Sequence, residues 1–304
     1  MLCAILMATF NGEKYIIEQL QSIISQSFKD IKIYISDDGS SDNTVNVINE
    51  YISRNNLSNI KILEGPQLGY AFNFMSMIQD ARIQADYFAF SDQDDIWDVD
   101  KLSNAVKRIK EFPQDQATLY CSRSKVIDKN GIFLRLSPAF SRPASFKNAI
   151  LQSVAGGNTM VMNGVARNVM ASIEIKNIVS HDWWTYIVIS SIGGNVYYDE
   201  TPHINYRQHE SNIIGENRSL YSRCRRISKF LSGSYKEWML INCVELQKNE
   251  KLLTLESKNT LNKLTSIREC PLISRLKNIF SLGVYRQDLV ETLAIYLMIL
   301  FKRM

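Results

Sequence analysis

Short apolar runs and helical periodicities alternate from the first residues of the chain. Residues 2–8 are apolar over a strand's length, and residues 13–27 set Ile16, Ile17, Leu20, Ile23 and Ile24 on one helical face. Residues 31–36 are rich in β-branched side chains. The polar turn Asp37-Asp38-Gly39-Ser40 then leads into a helix with Val45, Ile48, Tyr51 and Ile52 inward. Residues 60–63 read as a third strand, 69–85 as a helix with Ala71, Met75, Ile78 and Ala81 in register, and 86–91 as a fourth strand. This β-α-β-α alternation predicts an α/β domain built on a mainly parallel sheet. Ligands of such sheets lie at the carboxyl ends of the strands. Three strand ends carry polar clusters here, Thr9-Phe10-Asn11, Asp37-Asp38-Gly39-Ser40 and Asp92-Gln93-Asp94-Asp95, and they are expected to converge on one crevice.

Beyond Gln116 the pattern loosens into short strands over 118–122, 159–162, 195–198 and 203–206, set between helices. From about Tyr221 only Lys/Arg-rich amphipathic helix remains. The chain is therefore expected to divide into an α/β body over residues 1–215 and a helical tail over 216–304.

Composition sharpens that division. Of 304 residues, 45% are hydrophobic and 22% charged, which excludes disordered and low-complexity classes. The formal charge of +4 is unevenly spread: residues 1–214 hold 19 Lys/Arg against 23 Asp/Glu, and residues 215–304 hold 16 against 8. Cys3, Cys121, Cys224, Cys243 and Cys270 are odd in number and contain no C-x-x-C pair, which argues against a disulfide framework or structural zinc and for a reducing compartment. The apolar N-terminus lacks a basic leader and a cleavage site, so it is read as a first strand rather than a signal peptide. The apolar run over 293–301 is too short to span a bilayer, so no transmembrane helix is expected.

Neither G-x-x-x-x-G-K-[ST] nor G-x-G-x-x-G occurs, which removes the main support for P-loop enzymes and dinucleotide dehydrogenases. The strongest chemical signal is Ser91-Asp92-Gln93-Asp94-Asp95, directly after an apolar strand. Three carboxylates within four residues repel one another, and a hard divalent cation relieves that repulsion through oxygen ligands. The alternative is a solvated acidic turn. An EF-hand does not fit, because Trp97 stands where its loop needs Gly.

Thr9-Phe10-Asn11-Gly12, Asp37-Asp38-Gly39-Ser40-Ser41-Asp42, Ser91-Asp92-Gln93-Asp94-Asp95-Ile96-Trp97 and His181-Asp182-Trp183-Trp184 follow one another in an order that resembles the family 2 glycosyltransferases. The resemblance covers about residues 1–215 and is greatest to the bacterial branch that builds O-antigen (lipopolysaccharide) and capsule repeats. It implies a GT-A fold, a Rossmann-like, mainly parallel sheet with flanking helices, here followed by a C-terminal helical region. It further implies nucleotide binding by Thr9, Asn11 and Asp38, with Asp37 beside them; capping of the next helix is the alternative role for Asp37 or Asp38. It assigns Asp92 and Asp94 to Mn²⁺ or Mg²⁺ bridging the donor phosphates. Asp182 matches the family's general base, and the first turn of a helix behind Ser180, itself an N-cap by its sequence position, favours its ionised form. The same first-turn placement has a purely structural reading.

Gly156-Gly157-Asn158, His181 and Trp183 correspond to the acceptor side, with a plain turn and an ordinary core tryptophan as the structural alternatives. In Tyr206-Arg207-Gln208-His209, Arg207 is expected on a donor phosphate and His209 on the metal or a phosphate, while His203 is taken as structural. The absence of Q-x-x-R-W favours single transfer over processive polymerisation.

The resulting expectation is an inverting, metal-dependent hexosyltransferase. It would carry glucose or galactose from a UDP-sugar, in β-1,3 linkage, to a HexNAc-diphosphoundecaprenol acceptor. A dTDP-rhamnose-dependent rhamnosyltransferase is the alternative, and a nucleotide-sugar-binding protein without turnover is the alternative of another class. The basic tail, with Arg223, Arg225, Arg226 and Lys229 among Ile227, Phe230 and Leu231, reads as a peripheral membrane-surface element. It carries no nucleic-acid signature. The expected location is the cytoplasmic face of the bacterial inner membrane.

Overall fold

The structure, a computed structural model, describes residues 1–209 and 234–302. The division near residue 215 and the basic stretch 221–231 lie outside the described residues. The N-terminal elements are β1 (Cys3–Thr9), α1 (Ile16–Ile24), β2 (Ile31–Asp37), α2 (Thr44–Arg54), β3 (Ile60–Glu64), α3 (Tyr70–Gln79) and β4 (Tyr87–Ser91). Next come β5 (Ile96–Trp97), α4 (Lys101–Ile109), β6 (Thr118–Ser122), β7 (Lys125–Ile127), β8 (Phe133–Leu136), α5 (Phe146–Ala149) and β9 (Val161–Asn163). The body closes with α6 (Gly164–Ser172), α7 (His181–Ser191), β10 (Asn195–Asp199) and β11 (Ile204–Arg207). The tail supplies α8 (Ser234–Lys248), α9 (Leu255–Ser266), α10 (Leu272–Leu282) and α11 (Leu289–Leu300).

Seven strands form the main sheet in the order β10-β6-β9-β4-β1-β2-β3. Every pairing in it is parallel except those of β9, which runs antiparallel between β4 and β6. The period of two along β1 builds both layers: Cys3, Ile5 and Met7 face one core with residues of α1 and α4, while Ala4 and Leu6 face another with α3 and α7. That second core is shared with the tail, since Tyr235, Met239, Leu261, Ile279 and Ile295 belong to it.

A second sheet, β5-β11-β7-β8, is absent from the sequence periodicity apart from the strand at 203–206. Its β5 has two residues and β7 three, too few to show alternation. This small sheet matters for the site. Strand β5 follows the acidic turn at once and pairs antiparallel with β11, so Arg207 and His209 are carried back onto Asp94 and Asp95.

Two other expectations change. The helix over 69–85 ends at Gln79, because Asp80 turns extended and its carboxylate binds the Arg82 N–H and guanidinium. The strand over 159–162 splits into a 3-10 turn, Gly157–Thr159, and the short β9.

Candidate active site

The carboxyl ends of β1, β2 and β4 do meet, in register: Thr9 lies opposite Asp37 and Met7 opposite Ser91. Hydrogen bonds between the three clusters then shape the loops. Thr9 Oγ1 donates to Asp37 Oδ1 at 3.0 Å, and Asp37 accepts from the backbone N–H of Gly39 (3.2 Å) and Ser40 (2.9 Å). Gly39 has φ +90°, a conformation that an L side chain resists. Asn11, itself left-handed at φ 50°, accepts from the Ser41 N–H at 2.8 Å through its side-chain oxygen. Asp42, rather than Asp37 or Asp38, accepts the Thr44 N–H at 3.0 Å at the start of α2.

Asp38 accepts the Gln67 N–H at 2.7 Å and the Gly69 N–H at 2.8 Å, one on each carboxylate oxygen, and so fixes the turn that launches α3. Thr9, Asn11 and Asp38 are therefore brought together as expected. In this structure the side chains of Asn11 and Asp38 hold backbone. Gln93 clamps the first loop from the other side, accepting the Phe10 N–H at 2.9 Å and donating to its carbonyl at 3.0 Å.

The acidic turn separates its three carboxylates by task. Asp95 is fully buried, accepts from Asn158 Nδ2 at 2.6 Å and from the Arg207 N–H at 3.2 Å, and is held well above the usual carboxylate range by burial and by Asp94 and Asp92. It ties Asn158 into the floor of the site. Asp94 Oδ2 faces His209 Nε2 at 2.8 Å. Asp92 is pushed up to about 7, by burial first and then by the charges of Asp94 and Asp182, with Lys101 opposing. Lys101 lies beneath, with its ammonium 3.3 Å from the Trp97 ring centroid and lowered to about 7 by burial.

His209 stacks on Tyr15 with ring centroids 5.0 Å apart. Arg207 also lies on that ring, its guanidinium carbon 4.7 Å from the centroid. The Arg207 guanidinium does not open into the crevice as the sequence motif implies. It is 2% exposed and donates to Glu18 Oε2 (2.5 Å), the Asp94 carbonyl (2.9 Å) and the Lys129 carbonyl (3.1 Å). The physical reason is that a buried guanidinium has five donors to satisfy, and these partners surround it. Arg207 works as a strut between the acidic turn and the small sheet.

On the opposite wall, His181 opens α7 and is 4% exposed. It stacks on Phe74 at 3.9 Å and meets Phe90 and Tyr70 edge-on. Neither ring nitrogen has a hydrogen-bond partner among the described residues, and burial lowers the imidazole to about 4, with Asp182 opposing. A Cβ on Gly157 would stand 2.0 Å from His181 Nε2, which explains the glycine.

Ser180 occupies the N-cap position, yet its hydroxyl donates to Asp182 Oδ1 instead of capping backbone. The Trp183 N–H joins it on the same oxygen at 2.7 Å. The other oxygen of Asp182 has no hydrogen-bond partner among the described residues, as a proton acceptor requires. Trp183 is buried in the core and donates its indole N–H to the Ala149 carbonyl at 2.7 Å, the ordinary core placement that the sequence also allowed. Tyr70 belongs to none of the sequence motifs. Its hydroxyl is raised to about 12 by burial and then by the charges of Asp182 and Asp92. The Gly69-Tyr70 helix start is its only signal in the sequence.

The side chains expected to hold a divalent cation, those of Asp92, Asp94 and His209, are of a suitable type but are not gathered, among the described residues, into a three-ligand site. Their oxygen and imidazole atoms suit Mn²⁺ or Mg²⁺, and the mutual repulsion that raises Asp92 is what a cation would remove. Among the described residues no group of three or more His, Cys, Asp or Glu side chains forms a ready-made cage.

A mainly parallel sheet with an acidic turn at one strand end, and short antiparallel pairings that bring β11 back onto that turn, is an architecture of the GT-A type. Residues 4–170 match the family described as "Glycosyl transferase family 2", and the chain belongs to that family. The dTDP-rhamnosyl transferase RfbG of Shigella flexneri is 33% identical over 239 residues, which is 76% of this chain and 81% of that protein. The UDP-Glc:alpha-D-GlcNAc-diphosphoundecaprenol beta-1,3-glucosyltransferase WfaP of Escherichia coli is 30% identical over 142 residues, 47% of this chain and 52% of that one. Among solved structures, S. aureus TarS 1–349 in complex with UDP-GlcNAc shares the fold with a TM-score of 0.59 at 17% identity, over 99% of this chain and 82% of that one. The mannosyltransferase PcManGT from Pyrobaculum calidifontis, in complex with GDP-Man and Mn²⁺, shares it at 0.51 and 15% identity, over 98% of this chain and 85% of that one. The protein is a glycosyltransferase.

Proposed function

We propose that this enzyme transfers a single sugar, with inversion, from a nucleoside-diphosphate donor to a lipid-linked saccharide in the assembly of an O-antigen-type repeat. The carrying observation is Asp182, fixed by one oxygen and free on the other, with its charge felt at Asp92 across the crevice. The acceptor hydroxyl gives its proton to Asp182 while its oxygen bonds the donor's anomeric carbon. The carbon–oxygen bond to the diphosphate breaks in line, and the nucleoside diphosphate leaves with the electron pair. Asp92, Asp94 and His209 would hold a divalent cation, which would supply Lewis-acid stabilisation of that leaving group. Tyr70 and the neutral His181 line the base's side of the crevice.

dTDP-rhamnose is the first donor to test. The similarity to RfbG runs through three quarters of this chain, whereas that to WfaP covers under half. UDP-glucose or UDP-galactose, expected first from the sequence motifs, becomes the second reading. An undecaprenyl-diphosphate acceptor would bring the enzyme to the cytoplasmic face of the inner membrane as a peripheral protein.

The test is a donor screen with purified protein, Mn²⁺ or Mg²⁺, and synthetic saccharide-diphosphate-lipid acceptors, read by mass spectrometry. A mass gain of one deoxyhexose from dTDP-rhamnose, abolished by EDTA, is expected. Gain of a hexose from UDP-sugars alone would select the second reading, and undiminished transfer in EDTA would remove the metal.

A further inference from the structure

The loop that joins α10 to α11 turns inward onto the body. It begins at Gly283, left-handed at φ 59°, which ends α10, and it stops at Asp288, whose carboxylate accepts the Val290 N–H at 2.8 Å and caps α11. Between them, residues 284–287 are bound to one stretch of the body, residues 142–152. The Tyr285 N–H donates to the Lys147 carbonyl at 3.1 Å, and Asn148 Nδ2 donates to the Tyr285 carbonyl at 2.9 Å. Gln287 accepts the Arg142 N–H and donates to the Arg142 carbonyl, both at 3.0 Å, while its own N–H reaches Gln152 Oε1 at 2.9 Å. Arg286 is held by Glu291 at 2.9 Å and donates to the Leu151 carbonyl at 2.6 Å.

The same stretch is tied on its other side to α7. The Tyr186 hydroxyl accepts the Ser145 N–H and donates to Asn148 Oδ1, both at 3.0 Å, and the Trp183 indole donates to the Ala149 carbonyl at 2.7 Å. Trp183 follows Asp182 directly and Tyr186 lies one helical turn beyond it. Asn148, fully buried, is the junction: its nitrogen holds the tail and its oxygen holds α7. Past Gln152 the chain runs into Gly157, which backs onto His181, and Asn158, which donates to Asp95. From Ser137 to Gly156 the chain is loop apart from α5, four residues long. So short a helix does not hold its own conformation. The stretch takes its place from what it is bonded to, α7 on one side and the tail loop on the other.

We propose that the loop over residues 284–287 is a positioning element for sugar transfer, with Gln287 and Arg286 as its positioning residues, a role that rests on reading Asp182 as the base and Gly157 and Asn158 as the acceptor side. The loop sets residues 142–158 and, through them, the first turn of α7. The donor side is held differently. Its loops are closed by Thr9 on Asp37, Asn11 on Ser41, Asp38 on Gln67 and Gln93 on Phe10, bonds that use neither the tail nor residues 142–152. The main sheet, too, is built from residues 3–199. Loosening the tail loop therefore disturbs the acceptor half of the site and spares the nucleotide half.

The experiment compares the full-length wild type with Gln287→Ala, Arg286→Ala and, as a control for lost stability alone, Ile279→Val in the buried face of α10. All are assayed well below their melting temperatures. Amide hydrogen exchange without substrate is expected to quicken about tenfold over residues 142–158 and 180–184 in Gln287→Ala, and to stay unchanged over 9–12, 37–42 and 67–69. Nucleoside-diphosphate affinity by calorimetry should remain within about twofold, as for distant, uncoupled sites. kcat/KM for the saccharide-lipid acceptor should fall by about tenfold to a hundredfold, the scale of a misplaced reacting group, while Ile279→Val leaves it unchanged. Arg286→Ala repeats the pattern if it folds, and Gln287→Ala decides alone if it does not. Unchanged exchange over 142–158, a parallel loss of nucleotide affinity, or acceptor kinetics like those of Ile279→Val overturns the proposal and leaves the functional reading standing. A wild type that transfers sugar to no lipid-linked acceptor overturns the functional reading instead, and the exchange pattern then decides whether the loop sets the base's helix.

Discussion

His181 and Gly157 show how closely the wall beside the base is fitted. The space that a methyl at Gly157 would need is taken by the imidazole itself, 2.0 Å away, and that imidazole is confined by Phe74 and Phe90. Gly157→Ala is expected to displace His181 and lower the melting temperature by several degrees, by roughly 1–3 kcal/mol of overpacking, together with a loss of turnover. Calorimetry and a transfer assay check both.

His181 also makes stability depend on pH. Its folded value of about 4 lies below the ordinary 6.5, so between those values the unfolded chain binds the extra proton. Stability is therefore lost as pH falls from about 6.5 towards 4, by up to roughly 3 kcal/mol. His181→Phe should flatten that slope in denaturant titrations at pH 4.5 and 7; an unchanged slope would assign it to other groups.

At this scale the sequence is informative where chemistry alone dictates a residue. His209 meets Asp94, and the charges of Asp94 and Asp182 are felt at Asp92. It says less at Arg207 and Trp183, because charge and ring size do not say which way a side chain points, and here both are drawn into buried polar partners. Asp95, Lys101 and Tyr70 stay hidden in it for the converse reason: their significance comes from burial and from neighbours distant in the chain.

Among the elements, the start of α1 and the end of β11 act together. Tyr15, just before α1, carries His209 on its ring while His209 faces Asp94. The Tyr15 hydroxyl is buried without a hydrogen-bond partner among the described residues, so the ring rather than the hydroxyl does this work. Tyr15→Ala is expected to weaken Mn²⁺ binding about tenfold, in line with losses at groups that orient metal ligands. Tyr15→Phe should bind as the wild type does. Titration calorimetry with Mn²⁺ and nucleoside diphosphate distinguishes them, and equal losses in both would give the role to the hydroxyl.

The helices and long strands of the body are legible in the sequence because each shows several turns or alternations of its period. The small sheet is not, since β5 and β7 gain their strand character from partners on β11, far along the chain, in the register Ile204–Trp97 and Asn205–Lys125. The sheet that delivers His209 to the site is thus a product of tertiary pairing.

For the whole molecule, the uneven charge acquires two meanings. Part of the acidic excess lies in Asp92, Asp94, Asp95 and Asp182, gathered around a crevice where a cation and a diphosphate would meet. The basic excess belongs to the tail, whose helices share the body's core. The family membership secures sugar transfer, and the central claim is that Asp182 supplies the base for it. The most direct measurement compares Asp182→Asn with the wild type in donor binding by calorimetry with Mn²⁺ and in transfer to the lipid-linked acceptor. Donor affinity within about twofold and turnover reduced at least a hundredfold, the scale of a lost general base, are expected. Turnover within a few-fold of the wild type would contradict the role of Asp182.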